Sequence, residues 1–120
     1  MKKIIFYSYL KCSTCRKAEK WLKSKDFEFQ LIDIVKEPPN VIYLILALKQ
    51  YSDDKNRIFN TWGKAFKTLN LDINGLSKEE IIKLLLSDGK LIKRPFLIYK
   101  EKKVILGFNE IEYAKQFIQV

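Results

Sequence analysis

Two cysteines, Cys12 and Cys15, are the residues of this chain whose type and spacing suit redox chemistry. They are its only cysteines, and they follow an apolar run over residues 4–7. A pair in this spacing, behind a strand and at the start of a helix, is a candidate thiol-disulfide couple. Unpaired backbone N–H groups and the positive end of the helix dipole favour the thiolate at such a position. We therefore predict that Cys12 is a nucleophile.

The chain contains no histidine, which excludes several other mechanisms. Without imidazole there is no Ser-His-Asp triad, no Cys-His pair and no histidine metal ligand. Two thiols do not complete a zinc site, which needs about four ligands, so no metal site is predicted. Activation of Cys12 must instead come from the helix start and from cations, and the candidates are Lys11, Arg16 and Arg94.

The net charge of +9 is unevenly distributed along the sequence. Residues 1–25 carry eight Lys or Arg against one acid, residues 90–120 carry seven against three, and residues 26–89 carry eight against ten. Positive charge near the cysteines would attract an anionic substrate or partner. The alternative is a set of solvated lysines that keep a small domain soluble. Direct nucleic-acid binding is not predicted, because no basic helix with interleaved aromatic residues accompanies the charge.

Length and hydropathy predict a single domain, since 120 residues with 48% hydrophobic content suffice for one core. No apolar stretch reaches the roughly 20 residues that span a bilayer, and the N-terminus lacks a small-residue cleavage site. We expect a soluble cytoplasmic monomer with no membrane association. In a reducing compartment a Cys12–Cys15 disulfide would be transient and catalytic.

The apolar pattern predicts strands and helices in the order βαβ, helical block, ββα. A strand over 3–9, a helix over 14–25 and a strand over 27–34 form a βαβ unit, whose two strands should be parallel. Helical segments are predicted over 40–50, 52–59, 64–69 and 77–86, with Asn40, Ser52 and Ser77 as N-caps. A hairpin over 95–106 follows. Asn109 then caps a last helix that turns Ile111, Ala114, Phe117 and Ile118 inward.

This element order predicts an α/β, thioredoxin-like (glutaredoxin-like) core of about residues 1–36 and 90–120, with an all-helical insertion over about 37–89. In such a core the first cysteine is exposed and the second lies one helical turn deeper, so Cys12 attacks and Cys15 resolves a mixed disulfide. Pro95 opens the third strand. The fold places a cis-proline there, beside the cysteines, and the alternative is an ordinary trans-proline.

Two further positions are predicted to border the cysteine site. Arg94 could clamp an oxyanion, because its planar fork suits tetrahedral anions, and the alternative is a solvated arginine. The turn over residues 60–64 contributes Asn60 as a candidate substrate-binding residue, together with Lys11, Arg16 and Pro95. Trp62 in the same turn either borders the cysteine site or belongs to the core, and we predict that it belongs to the core.

Motifs along the whole chain resemble those of the ArsC/Spx family of arsenate reductases and redox regulators. They lie at residues 7–18, 37–39, 60–69, 88–95 and 107–110. Similarity to the reductases implies that Cys12 attacks arsenate, that glutathione or a glutaredoxin completes the reduction, and that three arginines hold the oxyanion. Arg94 matches one of these arginines, and the other two positions fall on Asn60 and Gly107. Most of these reductases lack the second cysteine.

The Spx/MgsR-type regulators of the family share both cysteines. The resemblance to them implies binding to the C-terminal domain of the RNA polymerase α-subunit, with the cysteine pair as an oxidant switch. Asp54 and Trp62 replace a glycine and an arginine of that contact, whereas Lys64 is kept. Two hypotheses follow. The first is a reductase-like thiol-disulfide oxidoreductase with no bound cofactor, linked to glutathione, glutaredoxin or thioredoxin, and acting on a small oxyanion or a protein disulfide; the second is the regulator.

Overall fold

The computed structural model describes residues 3–118, and its centre is a four-stranded sheet. The strands are β1 (Ile4–Ser8), β2 (Gln30–Asp33), β3 (Phe96–Tyr99) and β4 (Lys103–Leu106). Their order across the sheet is β2-β1-β3-β4. The β1–β2 pair is parallel, as predicted, and the other two pairs are antiparallel.

Five α-helices and three short 3-10 helices surround this sheet in the described residues 3–118. The α-helices are α1 (Ser13–Ser24), α2 (Val41–Gln50), α3 (Lys64–Leu69), α4 (Lys78–Ser87) and α5 (Glu110–Phe117). The 3-10 helices span Lys55–Ile58, Ile73–Gly75 and Gly89–Leu91. Along the chain, the three 3-10 helices lie between β2 and β3, and so do α2, α3 and α4. None of the helices within residues 3–118 has the length and apolar character needed to cross a bilayer.

Polar side chains begin the longer helices, largely where the sequence predicts. The Asn40 side chain accepts from the Ile42 N–H, Ser77 forms a capping box with Glu80, and Asn109 caps α5. The predicted Ser52 cap is wrong. Ser52 lies in a turn after α2, and the segment that follows is a 3-10 helix preceded by Asp54, without a side-chain cap. One 3-10 turn closes through backbone bonds and needs no such cap.

The second strand is shorter at its start than predicted. After α1, Asp26 adopts a left-handed conformation with φ of 60°, and the Phe27 N–H bonds Leu22 O at 3.0 Å. The chain therefore stays tied to the end of α1, and pairing with β1 begins only at Gln30. The ring of Phe27 stacks on Trp21 at 6.1 Å between centroids, which explains its apolar character without a strand.

The two faces of the sheet pack against different parts of the chain. Alternation along β1 turns Tyr7 toward the cluster that contains α2 and α4, and Phe6 toward the cluster that contains α1 and α5. Tyr113 on α5 is buried there, 5.5 Å from Trp21 between ring centroids. The prediction that Ile111 and Ile118 turn inward is wrong, since they are 71% and 48% exposed. The packing of Tyr113 on Trp21 sets the rotation of α5 and turns both outward.

The outer side of edge strand β4 is covered by one side chain of α2. Gln50 Nε2 donates to Val104 O at 3.0 Å, and the Val104 N–H donates to Gln50 Oε1 at 2.7 Å. The amide of Gln50 thus bonds both backbone groups of Val104, as a neighbouring strand would. Unpaired groups on an edge strand would otherwise be open to another chain.

Gly89 provides the first testable prediction, because it lies against the backbone that follows β2. A Cβ on Gly89 would be 2.1 Å from Ile34 O and 2.9 Å from Val35 Cα, so the chain must shift to accept it. We expect Gly89→Ala to lower the free energy of unfolding by about 2–3 kcal/mol, measured by urea denaturation. Gly75→Ala is the control, since its nearest neighbour, Asp72 Oδ2, is at an ordinary 3.7 Å. Equal stability of the two variants would contradict this packing.

Candidate functional site

Cys12 ends the loop between β1 and α1, and its sulfur caps the helix. Its backbone is extended (φ −105°, ψ 111°), and the Cys15 N–H donates to Cys12 Sγ over 3.2 Å. The Cys12 N–H in turn bonds Tyr9 O at 3.0 Å, which fixes the loop. The first turn of α1 contains no acidic residue. The positive helix end therefore lies beside this sulfur without a competing side-chain anion in that turn.

Cys15 faces inward from the first turn of the same helix. It is fully buried, whereas Cys12 is half-buried, and both are free thiols. Burial raises the pKa of the Cys15 thiol, and the contact with Cys12 raises it further. At neutral pH Cys15 is thus protonated. The two cysteines occupy the exposed and inner positions that an attacking and a resolving thiol require.

Arg94 contacts the ring of Tyr9, in the loop between β1 and α1. Its guanidinium carbon lies 5.1 Å from the ring centroid of Tyr9, whose carbonyl holds the Cys12 N–H. Arg94 Nη1 is buried, with no hydrogen-bond partner among residues 3–118. A buried donor left unsatisfied costs about 1–3 kcal/mol, so the position fits an incoming acceptor. The peptide bond from Arg94 to Pro95 is cis, as predicted.

The other predicted site residues have different placements. Arg16 Nη1 donates to Leu10 O at 2.7 Å, so this cation holds the loop closed rather than being free. Lys11 is exposed in the loop. Asn60 bonds Leu91 O through its N–H, and its side chain folds over Gly63, where a Cβ would be only 2.5 Å from Asn60 Nδ2. The amide of Asn60 is therefore packed within its own turn.

Trp62 does not belong to the core, and that prediction is wrong. Its side chain is 83% exposed, with Lys67 Nζ 6.0 Å from the ring centroid. Phe59 and Phe66 fill the space beneath this turn, with 5.6 Å between their centroids. The residues that flank Trp62 in the sequence thus occupy the core position instead.

Two residues near the cysteines were missed by the sequence analysis. A hydrogen bond with the Ser8 side chain lowers the pKa of the Cys15 thiol, against the larger effect of burial, which raises it. Tyr113 donates to Gly107 O at 2.7 Å, and burial and then the charge of Cys15 raise its pKa. The helical spacing of Asn109, Tyr113 and Phe117 was the available signal for Tyr113. Ser8 ends the strand that precedes the cysteines, and its type alone gave no signal.

The buried position of Cys15 predicts selective alkylation. With iodoacetamide at neutral pH, we expect Cys12 to be modified and Cys15 to remain free, because only thiolates react and the pKa of Cys15 is raised. A raised pKa means that modification of Cys15 should increase as the pH rises. Peptide mapping by mass spectrometry measures both sites, and urea-unfolded protein, in which both should react, is the control. Equal rates in the native protein would contradict the assignment of roles.

Comparison with known proteins identifies a consistent set of relatives. The family model described as "ArsC family" matches residues 7–116. YusI, an uncharacterized protein of Bacillus subtilis, is 39% identical over 95% of this chain and 98% of its own length. The global transcriptional regulator Spx of Lactiplantibacillus plantarum is 35% identical over 93% of this chain and 84% of its own.

A solved structure extends the comparison to three dimensions. The crystal structure of a possible arsenate reductase from Streptococcus mutans superposes with a TM-score of 0.84 and 36% identity. The match covers 98% of this chain and 100% of that one. The predicted fold class, a thioredoxin-like α/β core with helices, is thereby confirmed.

Proposed function

The chain belongs to the ArsC family, and from this premise we propose that it is a reductase-like thiol-disulfide oxidoreductase with Cys12 and Cys15 as its redox pair. The observation that carries the proposal is the Cys12 sulfur at the start of α1, accepting the Cys15 N–H at 3.2 Å. The unpaired Nη1 of Arg94 lies beside the same loop. This geometry supports the roles that we propose: Cys12 as nucleophile, Cys15 as resolving thiol and Arg94 as cationic donor.

The reaction takes two exchange steps that together transfer two electrons. Cys12 thiolate attacks one sulfur of a substrate disulfide, which forms a mixed disulfide and releases the other sulfur as a thiol after it takes up a proton. Cys15 then loses its proton and attacks Cys12. The Cys12–Cys15 disulfide forms, and the second substrate thiol leaves. Glutathione, glutaredoxin or thioredoxin supplies the thiols that reduce the pair again.

The substrate we propose is a disulfide that carries a negative charge near the reacting sulfur. Arg94 Nη1 offers one cationic donor to that charge. At the two positions where the resemblance implies further arginines, this chain has Asn60 and Gly107. Asn60 packs on its own turn, and a side chain at Gly107, with φ of 70°, would be strained and would lie 3.3 Å from Lys93 Cε. Arsenate, which would need more cationic contacts, is therefore the weaker candidate.

A second candidate function is redox-dependent regulation through the RNA polymerase α-subunit. It is favoured by the 35% identity to Spx over 93% of this chain. It is also favoured by exposure of Trp62 and Lys64, on the turn that the resemblance assigns to that contact. In this case oxidation of Cys12 and Cys15 to a disulfide would change binding, and no turnover would be needed.

Turnover assays distinguish the two candidates. With glutathione and glutaredoxin, or with thioredoxin, as electron donor, we expect reduction of a disulfide substrate that is abolished in Cys12→Ser, because the nucleophile is lost. Cys15→Ser should accumulate the mixed disulfide, seen by mass spectrometry. Arsenate is assayed in parallel. Absence of turnover with every donor, together with oxidation-dependent capture of the C-terminal domain of the polymerase α-subunit, would replace the enzyme by the regulator.

The role of Arg94 predicts charge selectivity at Cys12. We expect Arg94→Gln to slow the attack of Cys12 on anionic dithiobis-nitrobenzoate by about tenfold, with a smaller effect on neutral dithiodipyridine, since one charge-assisted contact is lost. Stopped-flow absorbance measures both rates. Arg57→Gln is the matched control, because Arg57 also stacks on a tyrosine, Tyr51, at 4.7 Å. An equal loss with both reagents would contradict an anion-binding role.

A further inference from the structure

Arg94 is fixed by backbone hydrogen bonds of the residues on either side of it. On one side, the Lys93 N–H donates to Ile58 O at 2.8 Å, and Ile58 is fully buried, so the core fixes this bond. On the other side, Pro95 O accepts the Gly107 N–H at 2.9 Å. The location of the guanidinium therefore depends on two other segments of the chain, and one of them contains a glycine.

Gly107 lies in the short link between β4 and α5. Its φ of 70° is a left-handed conformation, which glycine adopts without a steric penalty. Only Phe108 separates it from Asn109, the N-cap of α5. Since glycine has no side chain that could pack in the core, its backbone carbonyl is the group by which the core can hold it.

Tyr113 holds that carbonyl from inside the core. Its hydroxyl donates to Gly107 O at 2.7 Å, and the residue is only 1% exposed. The ring packs edge-on against Trp21, Phe108 and Phe117, at 5.5, 4.8 and 5.5 Å between centroids. These contacts fix the ring and with it the position of the hydroxyl.

A simpler explanation is that this hydrogen bond only satisfies a buried hydroxyl. A hydroxyl in the core needs an acceptor, and any nearby carbonyl would serve that purpose. The acceptor here is the carbonyl of Gly107, the same residue whose N–H bonds Pro95 O. Two successive hydrogen bonds thus connect α5 to the residue that follows Arg94.

We propose that Tyr113 is a positioning residue for Arg94. The two hydrogen bonds hold the guanidinium where it binds the negative charge of a disulfide that Cys12 attacks. This inference rests on the proposed function. Tyr113 takes no part in bond making or breaking, and its effect is on geometry alone. A cation held within about 0.5 Å of its productive position contributes more to binding than one that must be ordered at each encounter.

Tyr113→Phe removes the hydroxyl and keeps the ring. Since Gly107 O loses its donor, we expect attack of Cys12 on anionic dithiobis-nitrobenzoate to slow about threefold to fivefold, and attack on neutral dithiodipyridine to stay within about twofold. Both rates are followed by stopped-flow absorbance in the full chain. Tyr99→Phe is the control and should change neither rate. Tyr99 packs on Phe117 in the same aromatic cluster, at 4.8 Å between centroids, and its hydroxyl bonds no other group of residues 3–118.

Two further measurements test the connection between Tyr113 and Arg94. In a double-mutant cycle, Arg94→Gln with Tyr113→Phe should slow the anionic reaction no more than Arg94→Gln alone, because both changes weaken the same contact. By NMR, the Gly107 amide should exchange its hydrogen about fivefold faster in Tyr113→Phe, since its bond to Pro95 O loses support. Exchange in Tyr99→Phe should not change. The exchange measurement involves no thiol reaction and therefore reports on the hydrogen bonds directly.

Gly107→Ala is a second variant, and it keeps the tyrosine. Alanine at φ of 70° is strained, and its Cβ would lie 3.3 Å from Lys93 Cε, so the link between β4 and α5 must shift. We expect the same loss of charge selectivity as in Tyr113→Phe. Gly75→Ala, whose nearest contact is an ordinary 3.7 Å, is the control and should keep the selectivity. Unchanged selectivity in Gly107→Ala would contradict the role of this link.

Other results would also overturn the proposal. Equal slowing with both reagents in Tyr113→Phe would indicate a general packing effect. Additive losses in the double variant would show that Tyr113 acts independently of Arg94. Unchanged rates, or unchanged exchange of the Gly107 amide, would exclude the connection. If Arg94→Gln alone shows no charge selectivity, the proposed anion-binding role fails, and this inference fails with it. Selectivity that is lost in Arg94→Gln and kept in Tyr113→Phe removes this inference alone.

Discussion

One hydrogen bond, from the Cys15 N–H to the Cys12 sulfur, joins the fold of this chain to its chemistry. It exists because α1 starts directly behind β1 and because Cys15, Ala18 and Leu22 anchor the helix on the sheet. A helix start leaves backbone donors unpaired, and here a sulfur satisfies one of them. The chain has no histidine. A backbone donor therefore lies beside this sulfur in a chain that has no imidazole to offer.

The cationic side of the site depends on the opposite half of the chain. Arg94 lies just before Pro95 and β3. The segment leading to it is held by the bridge between Phe59 and Ile92 and by the close contact of Gly89 with Ile34 O. These contacts involve the chain segments between β2 and β3. The insertion thus positions the guanidinium, while β1 and α1 position the sulfurs, and the sheet fixes one relative to the other.

Local rules predicted the parts of this structure that local forces determine. Caps such as Asn109 and the element order follow from residue type and periodicity. The prediction of which face of α5 is buried was wrong. The contact of Tyr113 with Trp21, which is distant in sequence, outweighs the periodic pattern that included Ile111. Within the site, the two cysteines were evident from their spacing. The effect of Ser8 on the pKa of the Cys15 thiol was not, because a serine at the end of a strand has no distinguishing pattern in the sequence.

The amide of Gln50 has a consequence for how this architecture can vary. It bonds both backbone groups of Val104 and so acts as a one-residue substitute for a fifth strand. A smaller core without the helical insertion would lose Gln50. The outer edge of β4 would then expose unpaired backbone groups that another chain could bind. A shortened domain would therefore need another residue that blocks pairing at the edge of β4, such as a lysine or a proline, to avoid association.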